Sequence, residues 1–177
     1  MGRIFSLRGK MLAFDNQVTF NHNIFDYVSP DRTRAWKVLE AYIWPVEASG
    51  PNVGTDGFCL LTAMLATDSF FGPVRHDDLS DPTENRAFAW AQQNYNHRDA
   101  PTDFLTPNGF PLNQARFVVD PDTIVTKELY INLGTRTDYD LASEREWGYM
   151  IILEEQKITA AQSLFQQIKG MGQDLLS

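Results

Sequence analysis

Cysteine is almost missing from this chain, with Cys59 the single example among 177 residues. That excludes an intrachain disulfide and any thiolate zinc cluster built within one chain, and the setting FCLLTAML reads as an inert thiol in an apolar segment. No Asn-x-Ser/Thr acceptor occurs, so the usual mark of a glycosylated secreted protein is also lacking. Both absences lean toward synthesis in a reducing cytoplasm. No run approaches the roughly 18 to 20 apolar residues of a membrane-spanning helix, and MGRIFSLRGK has no long apolar segment of a secretory signal. The expectation is a soluble chain. Positive charge is scarce as well: 15 Lys and Arg stand against 23 Asp and Glu, for a net charge of -8. Such a balance repels a polyanion, and the nearest approach to a basic patch, Arg3, Arg8 and Lys10, reads as a solvated strand face. Direct nucleic-acid binding is not expected.

Grouped reactive side chains are equally hard to find. The histidines, His22, His76 and His97, show neither the spacing of a metal-binding helix nor a His-x-His strand pair. A Gly-x-Ser-x-Gly elbow, a phosphate-cradling loop and a dinucleotide fingerprint are all missing. No catalytic residue, metal site or cofactor is expected, and the chain does not read as an enzyme. The loop RHDDLSDPTE gathers Asp77, Asp78, Asp81 and Glu84, oxygen donors of the kind calcium prefers. The spacing misses the EF-hand pattern, however, and the plainer reading is an acidic loop that caps the next element. MGRIFS matches the myristoylation pattern through Gly2 and Ser6, against the plainer reading of an ordinary first strand.

What the chain has in quantity is alternation. AWKVLEAYIWP places Trp36, Val38, Tyr42 and Trp44 on one side and Lys37 on the other; TIVTKELYINLG sets Val125, Leu129, Ile131 and Leu133 against Thr126, Glu128 and Asn132. In REWGYMIILEEQK, Trp147, Tyr149, Ile151 and Leu153 line one face while Met150 and Ile152 make the other oily too. FCLLTAMLA is apolar on both faces and reads as a strand inside a stack. RIFSLRG, MLAFD, QVTFNHNIFDYV and ARFVV are shorter strand candidates. SDPTENRAFAWAQQNYNHR reads equally as a capped helix or as a strand alternating Arg86, Phe88, Trp90 and Gln92. Turn-rich connectors such as EASGPNVGTDG and DAPTDFLTPNGFP separate these runs. Many short strands with long punctuated loops predict an all-β sandwich. Most tryptophans sit among Val, Ile or Tyr in strands and read as core rather than as stacking platforms.

The chain ends differently. Thr159 followed by Gln162 is a capping box, and Leu164, Phe165, Ile168 and Met171, with Leu175 beyond, carry an apolar stripe at helical spacing. A helix of about three turns is marginal alone in water, so the stripe needs a surface to rest on. The candidates are the outer face of the strand before it and the equivalent face of a neighbouring copy. The expected organisation is one domain over 1–177, with the β-sandwich over 1–157 and the helix over 159–177.

This layout, and above all VDPDTIVTKELYINL followed by REWGYMIILEEQKIT and AAQSLFQQIKGMGQDL, resembles the small single-jelly-roll virion proteins of icosahedral phages, including those of uncultured marine phages. The resemblance implies a jelly-roll β-sandwich of about eight strands in two sheets with a C-terminal α-helix. It implies a capsid or vertex protein that self-assembles into a shell with copies of itself and with other virion proteins, made in the host cytoplasm and residing in the virion. The lack of a basic arm departs from coat proteins that neutralise a genome with their termini, and suits a shell parted from its genome by a membrane or inner layer. The rival reading is a glycan- or receptor-binding module, with Phe104 and Phe110 as stacking platforms and the RHDD loop as a cation site.

Overall fold

The computed structural model describes residues 2–27, 33–46, 56–98, 114–137 and 144–171. Its strands are β1 (Ile4–Phe14), β2 (Val18–Asp26), β3 (Arg34–Pro45), β4 (Asp56–Ala66), β5 (Ala87–Arg98), β6 (Ala115–Arg116), β7 (Val118–Val119), β8 (Glu128–Thr137) and β9 (Glu144–Lys157), and they are followed by α1 (Ala160–Met171). They form a four-stranded sheet, β1-β9-β3-β6, and a five-stranded sheet, β2-β8-β4-β5-β7. All the pairings are antiparallel. The first strand pairs with the last, β2 with β8, β3 with β6 and β4 with β5. The chain is thus one long hairpin rolled up so that successive ribbons alternate between the sheets, which is the jelly roll.

The core lies between the sheets. Trp147, Tyr149, Ile151 and Leu153 of β9 point inward, as the alternation predicts, and meet Leu61, Ala63 and Leu65 of β4 and Leu129, Ile131 and Leu133 of β8. Val125 is buried with them, joined to Trp36 by a reciprocal backbone bridge, N–H to carbonyl at 2.8 and 2.7 Å.

Bulges correct the sequence reading in two strands. In β3 the register slips between Val38 and Glu40, so that Trp36 and Val38 face the core but the inward set continues as Ala41 and Ile43. Tyr42 and Trp44, expected beside Trp36, are on the opposite face, because one extra residue inverts every later side chain. In β5 the register skips Phe88: Phe88 joins the central core while Trp90 packs on the far side of the sheet, so the expected alternation does not hold. The same segment settles as strand rather than helix. RIFSLRG and MLAFD prove to be one strand, because Gly9 does not break β1; the Tyr149 ring lies against it, where a side chain would stand. ARFVV is split between the sheets at the buried Phe117.

The 67–86 connector explains why β4 is oily on both faces. It folds back across the outside of the five-stranded sheet, where Phe70 and Leu79 bury Met64, Ala66 and Ala87 in a second cluster. Gly134 is its seat, since a Cβ there would lie 2.7 Å from Leu79 Cδ1 and 2.8 Å from His76 Cδ2. Asn21 pins it: the Phe70 N–H donates to Asn21 Oδ1 at 2.7 Å, and Asn21 Nδ2 donates to the Phe70 carbonyl at 2.9 Å.

The turn from β1 to β2 is held by charge. Asp15 is 1% exposed, and Arg145 Nε donates to its two carboxylate oxygens at 2.7 and 2.9 Å. Removing one partner of a buried pair leaves the other charge poorly compensated, so Asp15→Ala should lower unfolding free energy by about 3 kcal/mol in denaturant titration. A loss below about 1 kcal/mol would be the scale of an exposed pair and would show that the latch is not structural.

Candidate assembly surface

Two apolar features are exposed among the described residues. The first is α1. Its start is built as the capping box predicts: Gln162 N–H donates to Thr159 Oγ1 at 3.2 Å and Thr159 N–H to Gln162 Oε1 at 3.0 Å. Ile158 and Ser163 are buried, and Ile158 N–H donates to the Thr33 carbonyl at 2.8 Å, so the root is tied to the sandwich. Beyond that root the helix does not lie on its own sheet: Leu164, Phe165 and Ile168 are 57%, 69% and 54% exposed. Phe165 forms one wall of a groove of about 400 Å³ with Ile124, Ile158 and Ala161. Of the remaining stripe residues, Met171 is the last of α1 with its side chain outside the described residues, and Leu175 lies outside them altogether.

The second feature is the outer face of the four-stranded sheet. Its register sets Ser6 beside Ile152 and Glu40, and Arg8 beside Met150 and Tyr42. Met150 and Ile152 are half-buried by these neighbours, while Ile4, Leu12, Phe14 and Leu39 stay exposed. Polar contacts thread the face: Lys10 pairs with Glu146 at 3.1 Å, and the Tyr42 hydroxyl donates to Glu40 at 2.7 Å. The Glu40 hydrogen bond, chiefly, holds the Tyr42 hydroxyl above its ordinary pKa.

Reactive chemistry is not concentrated anywhere described. The four carboxylates of RHDDLSDPTE are all engaged locally. Asp77 pairs with Arg136 at 3.0 Å, Asp78 accepts the Arg75 N–H at 2.6 Å, Asp81 accepts from Thr83, and Glu84 pairs with Arg86 at 2.9 Å. Among the described residues no three His, Cys, Asp or Glu gather as a metal group. His76 donates from Nε2 to the Thr135 carbonyl at 3.0 Å. The side chains of Cys59 and His97, and all of Phe104 and Phe110, lie outside the described residues.

His22 enters the seam between edge strands β1 and β2, with its ring centroid 6.4 Å from that of Tyr149. Burial holds its pKa below the ordinary 6.5. The unfolded chain therefore takes up a proton near pH 6.5 that the folded chain refuses, and stability falls as pH drops from there toward the lowered value. The His22→Gln chain should lose this part of the acid sensitivity; thermal midpoints of the two proteins from pH 7.5 to 5 that fall in parallel would contradict the assignment.

No protein-family model and no curated protein matches the chain. Among solved structures, a semi-empty virus-like particle of Macrobrachium rosenbergii nodavirus, from the giant freshwater prawn, is 11% identical, covering 90% of this chain and 98% of that one with a TM-score of 0.38. Cocksfoot mottle virus is 14% identical, covering 90% and 87% respectively, with a TM-score of 0.35. Likenesses this faint carry no argument about role, and the jelly-roll assignment stands on the strand order.

Proposed function

We infer that this chain is a virion structural protein, a capsid or vertex subunit of an icosahedral phage whose work is self-association. The observation that carries the reading is α1: a capped, rooted helix leaves Leu164, Phe165 and Ile168 more than half exposed among the described residues. A dozen residues of helix would not persist alone in water with such a stripe, and rooting it rigidly only to leave it bare makes sense when a neighbouring copy supplies the cover. Area removed from water contributes about 25 cal/mol per Å² before the costs of association. Modest contacts repeated around a closed symmetry then sum to a stable shell.

The negative balance of the chain fits a shell that does not itself gather the genome, and a membrane or inner protein layer would stand between the two. Other virion proteins are the natural second class of partner. The glycan-binding alternative has less behind it, because the carboxylates that would serve a cation are occupied by ion pairs and turn hydrogen bonds.

The test is a triple change, Leu164→Ser, Phe165→Ser and Ile168→Ser. These side chains are exposed in the isolated subunit, so the variant should keep the strand signature and the thermal midpoint of the sandwich. It should fail to form the particle or ring that the unaltered chain forms. If the triple variant assembles into the same particle at the same concentration, α1 is not an assembly element.

A further inference from the structure

Phe71 is 84% exposed, the barest large apolar side chain among the described residues, and the fold takes trouble to hold it there. Its predecessor Phe70 is fastened through both backbone groups to Asn21 and lies under the Arg86 guanidinium, 4.4 Å from the ring centroid. Its successor Gly72 turns the chain at φ 87°, a conformation that side-chain-bearing residues rarely adopt. A single exposed phenylalanine on a pliant loop would need no explanation. One whose preceding residue is held by two backbone hydrogen bonds and a cation–π contact starts with less freedom for binding to remove, which favours an interface anchor.

The molecule also has an open recess of about 390 Å³ that its own connector does not fill. It lies at the end of the sandwich where β1 and β3 begin, and its lining is Arg3, Phe5, Tyr27, Arg34, Trp36 and Glu155. The Trp36 ring meets Phe5 and Tyr27 edge-on, at centroid distances of 4.7 and 5.4 Å.

We propose that Phe71 of one copy seats in this recess on a second copy. The step rests on the self-association reading and adds a contact separate from α1. Ring chemistry favours it, since an incoming phenyl group finds aromatic edges and faces together with guanidinium groups that stack on aromatic rings. Charge favours it too. The connector around Phe71 carries Asp68, Asp77, Asp78, Asp81 and Glu84 against Arg75 and Arg86, whereas in the recess lining Arg34 is paired with Glu155 and Arg3 adds one further positive charge. Such a surplus of opposite sign orients the approach of two copies and disfavours pairing of like surfaces. Knob and hole lie on different parts of one subunit, so a contact that is not reciprocated between two copies is head-to-tail and builds a ring where its rotation closes.

The experiment uses the full chain with p-benzoylphenylalanine in place of Phe71, mixed in light and isotopically heavy forms and irradiated under assembling conditions. Mass spectrometry should find light-to-heavy cross-links from position 71 to peptides bearing residues 3–5, 27 or 34–36. In parallel, Phe71→Ser should raise the concentration needed for assembly by about tenfold, the effect of losing one modest anchor, with an unchanged thermal midpoint. If particles form but the label attaches elsewhere or nowhere, or if Phe71→Ser assembles at the original concentration, the knob-and-recess contact is wrong while self-assembly stands. If the unaltered chain never assembles, both fall together.

Discussion

A β-sheet buries one face against its partner and must still account for the other, and most of this structure follows from how that second face is handled. The five-stranded sheet solves the problem within the chain. Met64 and Ala66 are covered by Phe70 and Leu79 of the long connector, which sits down on Gly134 and is pinned by Asn21. Among the described residues the four-stranded sheet has no such flap. Its outer face keeps Met150 and Ile152 half-buried only by flanking Ser6, Arg8, Glu40 and Tyr42. The helix that follows β9 is rooted at Ile158 and beyond that root leaves Leu164, Phe165 and Ile168 exposed. Among the described residues one side of the subunit is thus closed by its own connector and the other keeps its apolar side chains exposed.

Much of this was legible in the sequence. Strict alternation located β8 and β9, the doubly oily run located β4, and the Thr159–Gln162 pair located the start of α1 to the residue. What alternation cannot reveal is an inserted residue. The bulges at Leu39 and Phe88 reverse the facing of Tyr42, Trp44 and Trp90 without any Gly or Pro to announce them, since a bulge arises from the partner strand's register and not from local propensity. Gly9 misled in the opposite sense, because its meaning comes from Tyr149, far away in the chain. On the surfaces, the apolar stripe of α1 was readable as a helical period. Phe71 was not: a lone phenylalanine in a loop has no pattern, and its exposure follows from its neighbour Phe70 being held by Asn21 and Arg86.

The chemistry points the same way as the architecture. Among the described residues buried charge is confined to a structural latch at Asp15 and Arg145, the acidic loop engages its carboxylates with its own residues and with Arg136, and His22 is a half-buried ring beside a tyrosine. The fold leaves exposed apolar side chains outside, among them Leu164, Phe165, Ile168 and Phe71, and under the self-association reading these are the surfaces that other subunits would cover.

The most direct test of this account is the native mass of the purified, unaltered chain, followed by sedimentation velocity and negative-stain imaging across a wide concentration range. The account predicts a closed symmetric species, a ring or a particle, that appears above a threshold concentration. A monodisperse monomer at every concentration, with the apolar stripe of α1 protected from solvent within that single copy, would contradict it.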